Sequence, residues 1–581
     1  MKKIFLCACI LCLTSVLNIS IAKGQDIDLE TVGGQVKDAL KKNPFKISGG
    51  LSANGLYYNS NTGSSRDPFT YFLNGTLNVG VYNWSVPITY SLTNQGSTLG
   101  YQLPYKFNRV SLNPKYKWAL AHIGDVNMSF SPYTFSGMPF TGAGVELTPN
   151  IPLKAAVFGG QFNSAINDDG DPRTIPAYRR WGYGVQLRWE KQRYKLGVTG
   201  FYAKDNPNSL DSIPYSKQVY PQENLAIALN ANVMVLKNLE VFGEYARTGI
   251  TSDLTSASQQ KSKDPVAWFI KENATTSYYN AFNTGVNYTF GVGQAGLRYE
   301  RIDPNYRTLG AYYFNSDFEN ITLNLNLNLL AGKLNLGGNI GRQRDNLNDD
   351  KVKQTDRWVG SANATWQVSD RLSIAGSYSN FTSFTNNRLN QFDIINQNPL
   401  ETPQPVDSIT YRQISQNASA NVQLSLSQSE TLTQSLSLNY SLSDMVNREN
   451  DMVRKGGLSR FHNAGVSHNI GFKNIKLNVS TSVNYTNSYA ASQTMHVWGP
   501  SLNATQALLQ DKLQLTLGGS YNHTTSPSAN ADVTNLRFGA TYTPWKRHSF
   551  NATAVQMIRT TQNNQGNMNE LTAQIGYAFS F

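Results

Sequence analysis

Cysteine is nearly missing from this 581-residue chain, and the three present, Cys7, Cys9 and Cys12, sit at its extreme N-terminus. Beyond them there is no disulfide framework and no thiolate metal site to seek. Long apolar runs are also missing. After Ile21 no stretch approaches the roughly 20 consecutive apolar residues of a membrane helix. Helix-favouring blocks of Ala, Glu, Leu and Lys are scarce, whereas Asn, Ser, Thr, Gly and Tyr abound. The formal charge of +12 is spread along the chain rather than gathered in a patch, which argues against nucleic acid as a partner.

What is present begins with Lys2 and Lys3, an apolar run from Ile4 to Ile21, and the small-residue site Ala22-Lys23-Gly24. This is the pattern of a secretory signal peptide cleaved near Gly24. Residues 25–44 then form a short periplasmic or lumenal segment. In it Ile27, Val32, Val36 and Leu40 fall at helical spacing, as in a short helix or a peptide that enters a lumen or docks a partner. Residues 45–581 are expected to form a single transmembrane β-barrel.

The basis for that expectation is a period of two. Strands place successive side chains on opposite faces, so a membrane barrel alternates apolar-out with polar-in. Ile321, Leu323, Leu325, Leu327 and Leu329 alternate with Thr322, Asn324, Asn326 and Asn328. Trp181, Tyr183, Val185, Leu187 and Trp189 alternate with Arg180, Gly182, Gly184, Gln186, Arg188 and Glu190. The runs are long for soluble sheets, and aromatics gather near their ends, as interfacial girdles require.

Tight turns alternate with long polar segments along the chain. About twelve turns, including one at Asn113–Lys115, and about thirteen loops, including one near residues 445–457, predict an all-β, up-and-down antiparallel barrel of about 26 strands. Both termini then lie on the periplasmic side with the turns, and the long loops face outside. The last strand carries Gln574, Gly576, Phe579 and Phe581, a pattern that resembles the signal read by barrel-assembly machinery. A ring this wide requires a filling, and no compact plug precedes Phe45; infolded loops first, or else the short N-terminal segment or a partner protein, are expected to supply it.

Several blocks are specific enough to carry a resemblance: Asn43–Gly50, Asp67–Gly75, Lys117-Trp118, Ala121-His122, Phe130–Gly137, Gly142–Glu146, Pro176–Tyr178 and Lys204–Ser209. Together, over residues 43–209, they resemble an outer-membrane barrel family of the Bacteroidota with no assigned activity. The resemblance implies the barrel fold and the outer membrane, and it carries over no catalytic residue. Ser129–Glu146 is too apolar for a solvated loop. It is expected either to fold into the lumen as a constriction built on Phe135, Met138 and Phe140, or to pack against neighbouring loops.

Chemistry is harder to find. His122, His462, His468, His496, His523 and His548 lie beside no nucleophile motif such as G-x-S-x-G. Asn167–Asp171 resembles half of a calcium loop but lacks the later glutamate, so a polar surface loop is the better reading. Arg180, Arg188 and Glu190 are candidate lumen charges, favouring anions or balancing one another. No catalytic, cofactor-binding or metal site is expected, and the chain is read as non-enzymatic. The expected role is a porin-like channel or transporter occluded by infolded loops. The alternative is a structural or assembly subunit of a secretion, surface-lipoprotein or barrel-assembly complex. Expected partners are outer-membrane lipid and lipopolysaccharide, the barrel-assembly machinery, and other outer-membrane proteins or surface lipoproteins.

Overall fold

The computed structural model describes residues 45–62, 67–94, 108–171, 174–211, 217–258, 262–311, 315–348, 356–380, 411–449, 452–490, 493–527, 530–562 and 566–581. The expected signal peptide and the helix-spaced segment at residues 25–44 lie outside these residues. Twenty-six antiparallel staves form one closed ring, as the alternation predicts. In chain order they are β1 (Phe45–Ser60), β2 (Phe69–Val81), β3 (Trp84–Thr93), β4 (Arg109–Leu112 continued by Lys115–Tyr116), β5 (Ala119–Val126) and β6 (Phe140–Leu147). Then follow β7 (Leu153–Asn163), β8 (Arg180–Glu190), β9 (Tyr194–Asp205), β10 (Glu223–Leu236), β11 (Leu239–Thr251), β12 (Thr276–Phe290) and β13 (Gly293–Ile302). The second half comprises β14 (Phe318–Leu329), β15 (Leu334–Asp345), β16 (Asp356–Gln367), β17 (Leu372–Ser379), β18 (Tyr411–Gln428), β19 (Leu432–Glu449) and β20 (Met452–Phe472). It ends with β21 (Leu477–Ala490), β22 (Gln493–Leu508), β23 (Leu513–Thr525), β24 (Ala531–Trp545), β25 (His548–Thr561) and β26 (Met568–Ser580).

Each stave pairs with its neighbours in sequence, and β26 closes on β1 from Gly50↔Ser580 to Ser60↔Glu570. The Gly49 N–H donates to the Phe581 carbonyl at 2.9 Å, and the Phe581 N–H returns the bond at 3.0 Å. Closure gives every described stave a partner on both sides, the requirement for a sheet that spans lipid.

The outward face meets that requirement in its chemistry. On β8 the exposed side chains are Trp181, Tyr183, Leu187 and Trp189, and on β14 they are Ile321, Leu323 and Leu325. Outward Trp84, Trp189, Trp366 and Trp545 lie near the tight turns, while Trp181, Trp358, Trp498, Tyr440 and Tyr485 lie toward the loops. Trp181 and Trp189 are separated by roughly 26 Å of strand, which a tilt of about 40° reduces to about 20 Å, close to the height of a barrel's apolar band. The ring is therefore built to span a membrane.

Two local expectations need correcting. The turn read at Asn113–Lys115 is an interruption inside β4, because Pro114 cannot donate to the ladder. The reversal falls at Lys117-Trp118, with Lys117 at φ 49°. Likewise the loop read near residues 445–457 is mostly strand, since β19 runs to Glu449 and β20 starts at Met452.

Candidate functional site

The inward faces divide the lumen into two unlike sectors. On the first, residues 127–139 between β5 and β6 turn into the barrel and carry a small hairpin, Ser129–Ser131 with Phe135–Ser136. Phe135 is 0% exposed. Its ring lies 4.4 Å from Phe158, 5.3 Å from Phe201 and 5.8 Å from Phe162, all on inward positions of β7 and β9. Met138 is buried in the same cluster, and Phe140 joins it from the wall as the first residue of β6 rather than from the loop. Neighbouring glycines make the room: a Cβ at Gly184 would overlap the Phe158 ring, and one at Gly182 the Phe162 ring.

Polar contacts fix the hairpin further. Ser131 donates to Glu244 on β11, and Tyr133 donates to Glu300 on β13. Burial, and next the adjacent Glu300, push the Tyr133 phenol well above its ordinary range, so it stays a donor. A second loop reaches the same place. After β13, Tyr306 donates to the Tyr133 carbonyl at 2.7 Å, Thr308 to the Thr134 carbonyl at 2.7 Å, and Ser136 N–H to the Gly310 carbonyl at 3.0 Å. Asn224 on β10, 0% exposed, accepts from the Leu309 N–H at 3.0 Å and donates to the Gly249 carbonyl at 2.9 Å. The sequence reading missed this second loop; its signal was Tyr306 and Leu309, apolar side chains in an otherwise polar connection.

The second sector is chemically the opposite. Outward Leu438, Tyr440, Val466, Val483, Leu502 and Leu517 are exposed, so the alternate residues of β18–β23 line the lumen. Over residues 415–428, 432–446, 457–472, 477–490, 493–508 and 513–525 no charged residue falls on a lumen-facing position. One circumferential row is Ser437, Ser467, Ser482, Ser501 and Ser520, with a 2.7 Å bond between Ser482 and Ser501. The next row toward the turns is Ser435, Asn469, Ser480, Asn503 and Gly518. There the wall holds a depression of about 560 Å³, lined by Gln423, Asn469, Asn478, Ser480, Asn503 and Thr505 among others.

The candidate lumen charges are present but paired. Arg180 binds Asp205 through Nε at 2.7 Å and Nη2 at 2.9 Å. Glu190 accepts from Lys154, and Arg188 stands 3.5 Å from the same carboxylate. Arg298 approaches Glu300 at 3.4 Å. The half calcium loop proves to be a lysine cage: the Lys217 ammonium donates to Asp168 Oδ1 at 2.6 Å, the Thr174 carbonyl at 2.8 Å and the Asp171 carbonyl at 3.0 Å. The cation such a loop could bind is replaced by the chain's own. Among the described residues no three His, Cys, Asp or Glu side chains assemble as a metal set.

The histidines are scattered. His122 bridges Asn113 and Glu146, both at 2.8 Å. His462 and His496 each bond a tyrosine at 2.9 Å on the lipid side, while His468 on that face leaves Nε2 without a partner. On the closing strand Gln574 reaches Asn54 at 3.4 Å, and Gly576 lies inward between Asn54 and Asn551. Phe579 and Phe581 stack with centroids 5.4 Å apart.

No family model matches the sequence, and no curated protein matches it. Among solved structures, the P pilus usher (PapC) translocation pore shares 11% identity, with 92% of this chain and 99% of that chain covered and a TM-score of 0.36. The ferric enterobactin receptor PfeA of Pseudomonas aeruginosa, as a mutant, shares 11% over 92% and 80%, with a TM-score of 0.37. OccAB2 of Acinetobacter baumannii shares 9% over 92% and 98%, with a TM-score of 0.30. At this level of likeness no functional statement passes from them to this chain.

Proposed function

We propose that the protein is a non-enzymatic outer-membrane channel for polar solutes, its bore narrowed on one side by the infolded hairpin at Phe135 and Met138. The observation that carries this reading is the neutral hydroxyl-and-amide wall of β18–β23, opposite a sector filled by apolar packing. A face that wets readily and binds no ion strongly suits passage; the filled sector limits width. In this reading the turns and both termini are periplasmic, the loops face outward, and the surrounding lipid includes lipopolysaccharide. Gln574, Gly576, Phe579 and Phe581 serve as the signal for the barrel-assembly machinery. The resemblance of residues 43–209 to Bacteroidota barrels fits this setting.

Purified protein in planar bilayers should give discrete conductance steps. Because Lys154–Glu190, Arg180–Asp205 and Arg298–Glu300 are compensated, cation and anion permeabilities should agree within roughly twofold. Electrical silence would overturn the channel.

A second reading rests on width. Twenty-six strands about 4.8 Å apart and tilted about 40° make a cylinder roughly 50 Å across. The described infolded segments brace only the side from β5 to β13. A partner protein seated in the remaining space would make the barrel a structural or assembly subunit, perceptible as a stable complex in mild detergent. Recovery only as a free monomer removes this second reading.

A further inference from the structure

We infer that the depression in the β18–β22 wall is a binding site for neutral, polyhydroxylated chains such as oligosaccharides; this rests on and deepens the channel reading. The site offers amides and hydroxyls in close succession, so it presents donors and acceptors together. Among the described residues, the amides of Gln423, Asn469 and Asn503 make no hydrogen bond within the chain, leaving their capacity for a ligand. Lys473 stands at the rim, its charged ammonium held toward the turn by the Ser429 carbonyl at 2.7 Å, and every other side chain that lines the depression is uncharged. An ionic ligand therefore finds no charge to pair with in the floor of the site, and an apolar one would strand its polar groups. A sugar chain satisfies them, since each hydroxyl both donates and accepts. The volume of about 560 Å³ suits about three sugar rings of a longer chain, at roughly 150–200 Å³ per ring with its hydroxyls.

The site lies in the wall a solute must pass, so occupancy should interrupt current. The probe is maltohexaose, added to the protein in planar bilayers, with calorimetric titration of the same sugar into detergent-solubilised protein. Expected are sugar-dependent current interruptions and measurable binding. Both should weaken about tenfold in Asn469→Leu/Asn503→Leu, the loss of about 1.4 kcal/mol that two missing amides imply. Leu438→Ala, on the lipid face, should leave sugar affinity unchanged. Heat-modifiable migration in gels shows that each variant is folded, and Asn469→Ala/Asn503→Ala repeats the test should the leucine pair not assemble. Conductance without sugar interruption or binding overturns the site and leaves the channel standing. Electrical silence with variant-sensitive sugar binding overturns the channel and upholds the site. Binding that the folded variants do not change overturns the site.

Discussion

At the scale of single residues, the most informative side chain is Lys217. Its ammonium ties the loop after β7 to the loop after β9, and Asn167 adds a 2.7 Å bond to Asp211 across the same gap. The hydrogen bond from Lys217, followed by that from the Gly170 N–H, holds the Asp168 carboxyl below its ordinary value of 3.8. A depressed carboxyl stabilises the folded arrangement fully above its ordinary value and ceases to do so as pH falls through the lowered one. The clamp should therefore persist from neutral pH down to about pH 4 and open below it. A fluorescent probe on Asn208→Cys, the only thiol beyond the N-terminal dozen residues, reports this directly. Its anisotropy should be steady to about pH 4 and then drop, whereas Lys217→Met should give the low value at every pH. An anisotropy in Lys217→Met equal to that of the parent at pH 7 would remove the clamp. The sequence offered half of this arrangement: the Asn167–Asp171 pattern was visible, but its cation comes from 46 residues downstream of Asp171, beyond what local spacing shows.

Among the elements, Asn224 ties the second infolded loop to the wall of β10 and β11. Four bonds converge on it, to Thr308, Leu309, Thr248 and Gly249. Asn224→Leu would strip those partners inside a dry contact, at about 1–3 kcal/mol for each group left unsatisfied. The variant should show new protease cleavage within residues 303–311 and noisier open-channel current; a cleavage pattern like the parent's would show that the apolar cluster suffices. The strands themselves were legible because lipid and water impose opposite demands on alternate residues, and that signal survives without knowledge of the partners. Infolding was legible only in part. Phe135 and Met138 betrayed an apolar loop, yet whether it packed inward or against other loops depends on glycines in β8 and phenylalanines in β7 and β9. Such contacts follow from ring order and register, which no single segment encodes.

For the whole molecule, the decisive junction is the seam between β26 and β1. Gly576 sits inward there with an asparagine from each side folded over it, so Gly576→Val must push both Asn54 and Asn551 aside. Overpacking of this kind costs about 1–3 kcal/mol. It acts where the ring must close, so the fraction of compact, heat-modifiable barrel should fall several-fold; an unchanged fraction would mean the seam tolerates a side chain. The inward brace on β5–β13 makes the ring unequal in stiffness around its circumference. The molecule is a hoop splinted along one arc and bare along the described wall of another. Lateral squeeze from the bilayer will bend the bare arc first, because no second layer of described residues resists its curvature. The cross-section then changes shape where the lining is serine and asparagine, while the splinted side keeps its form.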